Sequence, residues 1–251
     1  MVPYTDELNL AGWFHLGYFG VLLPGLLMHQ RKKLLPTDRP LPNRLRYFQT
    51  TSFSLVMLAT LSLLVAWVQR IPLFPRSLPP LSAVIAGVAL YAAAVAFMRP
   101  RWRRAVECRA RVVHLFMPAN APERAWWIAV AVLAGVGEEI TWRGVQAALV
   151  VVVTGNYWIA ALLCSISFAL THIVQGWRSA AVIVVFALGF HSLVWLAGSL
   201  YVAMAVHVAY DITAGISYGR LGRNWVPEGL DSGQVDENGD RTAGREGERA
   251  P

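Results

Sequence analysis

Gly137-Glu138-Glu139-Ile140-Thr141-Trp142-Arg143 stands inside an apolar stretch that runs from 126 to 153. Charge is expensive there: an ionised side chain at the centre of a bilayer costs roughly 2.5–3.5 kcal/mol on insertion scales. Two adjacent carboxylates cost more unless they are matched or protonated. Two further segments repeat the theme. Phe168-Ala169-Leu170-Thr171-His172 lies in one apolar run and His207-Val208-Ala209-Tyr210-Asp211 in another. Ionisable residues in such runs face a protein interior or a watered cavity, and they mark functional sites. The chain therefore reads as an all-α, polytopic transmembrane helical bundle with its polar chemistry placed inside.

Composition agrees. Of 251 residues, 56% are hydrophobic and 15% charged, against about 45–50% and about 25% in soluble domains. The mean hydropathy is +0.46. A membrane span needs about 20 mainly apolar residues. Candidate spans are 9–29, 50–69, 79–98, 126–153, 157–176, 179–197 and 199–218. That makes about seven, within a range of six to eight. The fourth is long and is expected to tilt, kink or break near Thr154-Gly155-Asn156. The N-terminus, Met1 to Glu7, lacks the basic region of a cleavable signal peptide, so the first run is expected to be a retained helix.

The net charge of +7 is concentrated beside the spans. Arg31, Lys32, Lys33, Arg39, Arg44 and Arg46 fall in the loop 30–49. Arg99, Arg101, Arg103, Arg104, Arg109, Arg111 and Arg124 fall in the loop 99–125. Basic loops flanking spans are cytoplasmic, so the pattern favours a multi-pass protein of the cell membrane over a nucleic-acid binder. The N-terminus is then outside and the C-terminus inside, and Arg178, Arg220 and Arg223 agree. Cys108 and Cys164 form no Cys-x-x-Cys motif, and no disulfide is expected between them in a reducing cytoplasm. Residues 1–220 read as one helical membrane domain. Gly, Glu, Asp, Arg and Pro dominate 228–251, and 221–251 reads as a disordered cytoplasmic tail unable to bury enough apolar surface to fold alone.

The spacing within the motifs says which side chains share a face. On a helix, Glu139 and Arg143 stand at i, i+4, within ion-pair reach, while Glu138 is turned about 100° away. One glutamate is thus expected to be a structural partner and the other to be free as a general base. Phe168 shares a face with His172, and His207 with Asp211. Faces converging on Glu138 would assemble a base, two imidazoles and a second carboxyl, a set able to activate water and stabilise a tetrahedral oxyanion.

The three motifs together, E-E-x-x-x-R, F-x-x-x-H and H-x-x-x-N/D on separate helices, resemble the CAAX protease and bacteriocin-processing (CPBP, or Abi) family. That family includes the type II CAAX prenyl endopeptidases, which are intramembrane glutamate proteases. The resemblance covers about 126–218 and implies specific roles. Glu138 would be the general base for the attacking water, and His172 would help to hold that water. Glu139 and Arg143 would pair and orient their helix, and His207 and Asp211 would line the oxyanion site. The implied substrate is a small membrane-associated peptide or protein, prenylated ones included, and no cofactor is implied. Asp211 stands where the family has Asn or Asp. An ionised aspartate repels an oxyanion, so Asp211 is either protonated or accepts a hydrogen bond from His207 and fixes its tautomer. The i, i+4 spacing favours the second.

Other readings compete. Glu138, His172 and His207 would supply a zinc set of two imidazoles and a carboxylate, although there is no H-E-x-x-H helix. A non-catalytic immunity or scaffold protein would keep the helices without needing Glu138. A proton-coupled transporter would carry similar groups, but no matched pair of interrupted helices is evident. His15 and His191 lack an acidic i, i+4 neighbour and read as structural. His29 and His114 lie near interfaces or in a basic loop. Thr141, Ser165 and Ser167 read as hydroxyls bonded to helix carbonyls rather than as nucleophiles, and Phe168 as packing.

Overall fold

Asparagines mark where four helices begin. Side chains of Asn9, Asn43, Asn120 and Asn156 accept hydrogen bonds at 2.9–3.1 Å from backbone N–H groups two or three residues on, satisfying donors that a first turn leaves over. At the other ends, Gly155 (φ 66°) and Gly198 (φ 63°) take the left-handed conformation that closes a helix. The computed structural model describes residues 7–34 and 41–223, and these signals delimit seven helical rods within them. Rod α1 joins Leu10–Gly17, a π-helical turn Tyr18–Leu22 and Leu23–Leu34. Then come α2, Arg44–Val68, and α3, Leu81–Glu107. Rod α4 joins Ala121–Glu138, a π-helical segment Glu139–Gln146 and Ala147–Thr154. Tyr157–Thr171 is α5, Trp177–Ala197 is α6 and Tyr201–Leu221 is α7. Short 3-10 turns cover Arg111–Phe116 and Ile173–Gln175, and no strand occurs among the described residues.

Four helices are long and apolar enough to cross a membrane by length and composition: Leu10–Gln30, Arg44–Val68, Leu81–Glu107 and Trp177–Ala197. The other three rods, α4, α5 and α7, carry the motifs. The surface is correspondingly apolar, with Trp67, Leu64, Ile85, Val88 and Val185 all more than half exposed, as lipid contact requires.

Several expected boundaries move. Rod α3 does not stop at 98 but runs through Pro100 to Glu107, so the first part of the expected basic loop is helix. The indole of Trp102 explains this: it is buried at 2% exposure and packs on the rings of Tyr210 and Tyr218, holding the extension against α7. Rod α5 ends at Thr171, short of 176. The expected irregularity at 154–156 is the end of α4 and its turn into α5, closed by Gly155 and reopened by Asn156. The expected tail overlaps the end of α7 at Leu221, and its remainder from 224 lies outside the described residues. So do Arg39 and the side chains of Arg31, Lys32 and Lys33.

Rod α4 lies at the centre, packed on α2, α5 and α7. Small residues make the approach close. A Cβ on Gly135 would lie 2.7 Å from the backbone nitrogen of Val208 on α7, and small residues at such crossings let helix backbones meet in membranes. The start of α4 is tied to α2: Arg44 Nε donates to Glu123 Oε2 at 3.0 Å, and Ala119 N donates to the same oxygen at 2.8 Å. His114 docks beside them, Nε2 lying 2.9 Å from the carbonyl of Pro42. Burial, more than its charged neighbours, holds that imidazole below the usual histidine range.

Candidate active site

The motif on α4 is not a regular α-helix. Backbone bonding tightens and then widens as it passes: Glu139 N–H reaches Val136 O, three residues back, and Ala147 N–H reaches Trp142 O, five back. Widened turns of this kind are rare and concentrate at functional sites. A chain of buried hydroxyls, an imidazole and an amide braces this one. Thr141 Oγ1 donates to Gly137 O at 2.8 Å and lies 2.9 Å from Ser62 Oγ on α2. Ser62 is 3.1 Å from His15 Nε2 on α1, and His15 Nδ1 is 2.8 Å from Gln146 Oε1 at the far end of the segment. His15 therefore has the structural part expected of it, while Ser62 and Gln146 were not singled out. Gln146, a buried amide three residues beyond Arg143, was the available signal.

Within this frame the two glutamates part company. Glu139 and Arg143 are sealed, with side chains 0% and 1% exposed and Arg143 Nη1 3.3 Å from Glu139 Oε1. The guanidinium lies over the ring of Phe168 at 4.3 Å and within 5.4 Å of that of Phe190, so Phe168 packs the site. The same Glu139 oxygen is 2.8 Å from His207 Nδ1, so that N–H donates to it. The other ring nitrogen, Nε2, faces Glu138 Oε2 at 3.7 Å and Asp211 Oδ2 at 3.6 Å, both beyond direct hydrogen-bond length. Glu138 and Asp211 are the accessible carboxylates, 13% and 25% exposed. The expected pairing of Asp211 with His207 is present as a 3.6 Å approach to Nε2 rather than as a short hydrogen bond. Glu139, from another helix, makes the short bond to Nδ1.

His172 is the cap residue just after α5. Its Nδ1 lies 3.0 Å from Phe168 O and 3.1 Å from Thr171 Oγ1, and its ring packs on Phe168 at 4.6 Å. No hydrogen bond or ion pair joins it to either glutamate. Trp127 Nε1 donates to Asp211 O at 3.0 Å, fixing the height of α7 against α4. Among the hydroxyls, Ser167 bonds the carbonyl of Phe19 at 2.7 Å, as expected of a hydroxyl in a membrane helix, whereas buried Ser165 has no partner. Both cysteines are free. Among the described residues, no group of three His, Cys, Asp or Glu side chains is placed to hold a metal ion.

Glu138, Glu139, Arg143, His207 and Asp211 thus lie together between α4 and α7 of a helical bundle, with His172 at the end of α5. Residues 120–213 match the family model described as type II CAAX prenyl endopeptidase, Rce1-like, the family the three motifs resemble. That segment holds every motif and the helices that carry them, and at the family level it implies a protease. No curated protein and no solved structure matches the chain.

Proposed function

We propose that the protein is an intramembrane endopeptidase of the glutamate type, cutting small membrane-associated peptides, prenylated ones among them. One observation carries the reading. Of two adjacent glutamates, Glu139 is sealed and held by Arg143 at 3.3 Å and by a 2.8 Å bond from His207, while Glu138 is the more accessible and has only the looser 3.7 Å approach of His207 Nε2. A helix brace needs only the first; a general base is the use for the second.

In this mechanism Glu138 takes a proton from water as the oxygen attacks the scissile carbonyl. His172 stands on the accessible side to orient that water. With Nδ1–H committed to Glu139, Nε2 donates to the oxyanion only when His207 is doubly protonated, and in that imidazolium form its Nε2–H stabilises the tetrahedral intermediate. Collapse breaks the C–N bond, and Glu138 returns its proton to the leaving nitrogen. Asp211 lies beside Nε2 and supports the oxyanion only while it carries a proton. The protein is proposed to sit with its N-terminus outside and its C-terminus cytoplasmic, so that His172 opens toward the cytoplasm.

The test compares wild type with Glu138→Gln in detergent on a peptide library that includes prenylated C-terminal peptides, read by mass spectrometry. Cleavage is expected to fall at least about 100-fold with no change in melting temperature, and a chelator is expected to leave wild-type cleavage intact. Undiminished cleavage by Glu138→Gln removes the base from the mechanism. Loss of wild-type cleavage in chelator moves the reaction to a metal.

A further inference from the structure

Rod α6 carries a histidine that the proposed reaction leaves unused. His191 is 0% exposed, and neither ring nitrogen has a hydrogen-bond partner. Its backbone is fixed, since Tyr157 Oη donates to His191 O at 2.8 Å, and the phenol ring lies 6.1 Å from the imidazole. A buried imidazole with both nitrogens idle is costly, and native interiors pair such groups or bridge them by water.

The Arg143 guanidinium lies 5.4 Å from the ring of Phe190, the residue before His191, and Arg143 has the complementary deficit. Its Nε and Nη1 make no hydrogen bond, Nη1 having only the 3.3 Å ion-pair contact with Glu139 Oε1, and Glu139 Oε2 is buried without a donor. A guanidinium offers five N–H donors and no acceptor, whereas an imidazole offers one acceptor. Ser165 Oγ on α5 is a further buried orphan. A single internal water typically makes about three hydrogen bonds to otherwise unsatisfied buried groups.

We propose that His191 is a positioning residue for the Glu139–Arg143 pair, accepting a guanidinium hydrogen bond relayed by one internal water bound between α4 and α6. Arg143 is then held from two sides, on Glu139 and on His191, above the rings of Phe168 and Phe190. Glu139 in turn holds His207 Nδ1, so the orientation of His207 depends on a residue that never touches the substrate. This rests on the proposed function for its kinetic consequence but not for the hydrogen bond itself.

The experiment pairs His191→Phe, which keeps a ring and removes the acceptor, with His191→Gln, which restores an acceptor. His191→Phe is expected to lower kcat about tenfold, the scale on which outer supports of catalytic groups act, with KM unchanged and the pH–rate profile displaced. His191→Gln is expected to recover most of kcat and the profile. Wild-type kcat and profile in His191→Phe, or a His191→Gln as poor as His191→Phe, overturns the proposal. Should His191→Phe fail to fold, histidine-selective 15N NMR of wild type decides, with His191→Gln identifying the resonance. A hydrogen-bonded acceptor nitrogen in exchange with water supports the site, and a free one overturns it. If wild type cleaves no peptide, or Glu138→Gln cleaves as well as wild type, the function is at fault, and the NMR result still decides the role of His191.

Discussion

Glu138 and Glu139 are neighbours in sequence and opposites in surroundings, and the difference separates the outcomes of their substitution. Removing the charge of Glu139 leaves Arg143 buried beside aromatic rings without its counter-charge. Breaking a buried pair from one side costs about 3–5 kcal/mol, so Glu139→Gln is expected to lower the melting temperature clearly as well as abolish cleavage. Thermal unfolding followed by circular dichroism in detergent measures it. A melting temperature equal to wild type would mean that Arg143 finds its support elsewhere. The Glu139–Arg143 pair was legible in the i, i+4 spacing. The bond from Glu139 to His207 was not, because it joins residues 68 apart in sequence and depends on how α4 and α7 cross. For the same reason spacing alone favoured Asp211 as the partner of His207.

At the scale of elements, the crossing of α4 on α7 sets the site. Gly135 meets the backbone of Val208, the residue after His207, where nothing flexible can move aside. Gly135→Ala is therefore expected to push α7 outward and lower kcat by about 100-fold, the effect of a displacement near 1 Å at a reacting centre. Steady-state kinetics checks it; activity within a few-fold of wild type would show that the crossing is slack. The rods themselves were legible, because apolar runs, asparagine caps and left-handed glycines are written locally. The extension of α3 was hidden, since its arginines read as loop while Trp102 beneath them anchors helix. The widened turn of α4 was hidden too: its hydrogen-bond register answers to Ser62 and His15 on other rods. Rod α5, with 15 residues, is about 22 Å long, shorter than the roughly 30 Å hydrocarbon layer. Ending it at His172 leaves non-helical backbone that must be covered by protein. Leu27 and Met28 of α1 supply that cover, packing with Ile173 and Ala180.

For the molecule as a whole, the starts of α2 and α4 and the end of α7 meet at one end, where Arg44 bonds Glu123 and Phe116 stacks on Tyr218, and α3 finishes just before them in the chain. Cys108 stands exposed there and Cys164 is buried, so the chain carries its own reporter of sidedness. A membrane-impermeant maleimide is expected to label inside-out vesicles at Cys108 and to spare intact cells, with Cys164 silent until denaturation; the opposite pattern reverses the proposed orientation. The first-met sequence showed the class of fold and the residues of interest, while their mutual distances came only from packing. The π-helical segment of α4 also bears on attempts to engineer the protein. Its unusual register is less favourable than the regular helix that the same residues would otherwise form, and it is retained by contacts from two neighbouring rods. A library screened for heat resistance alone would reward substitutions that straighten it, and its survivors would be robust and inert. Selection for a hardier variant has to score turnover in every round.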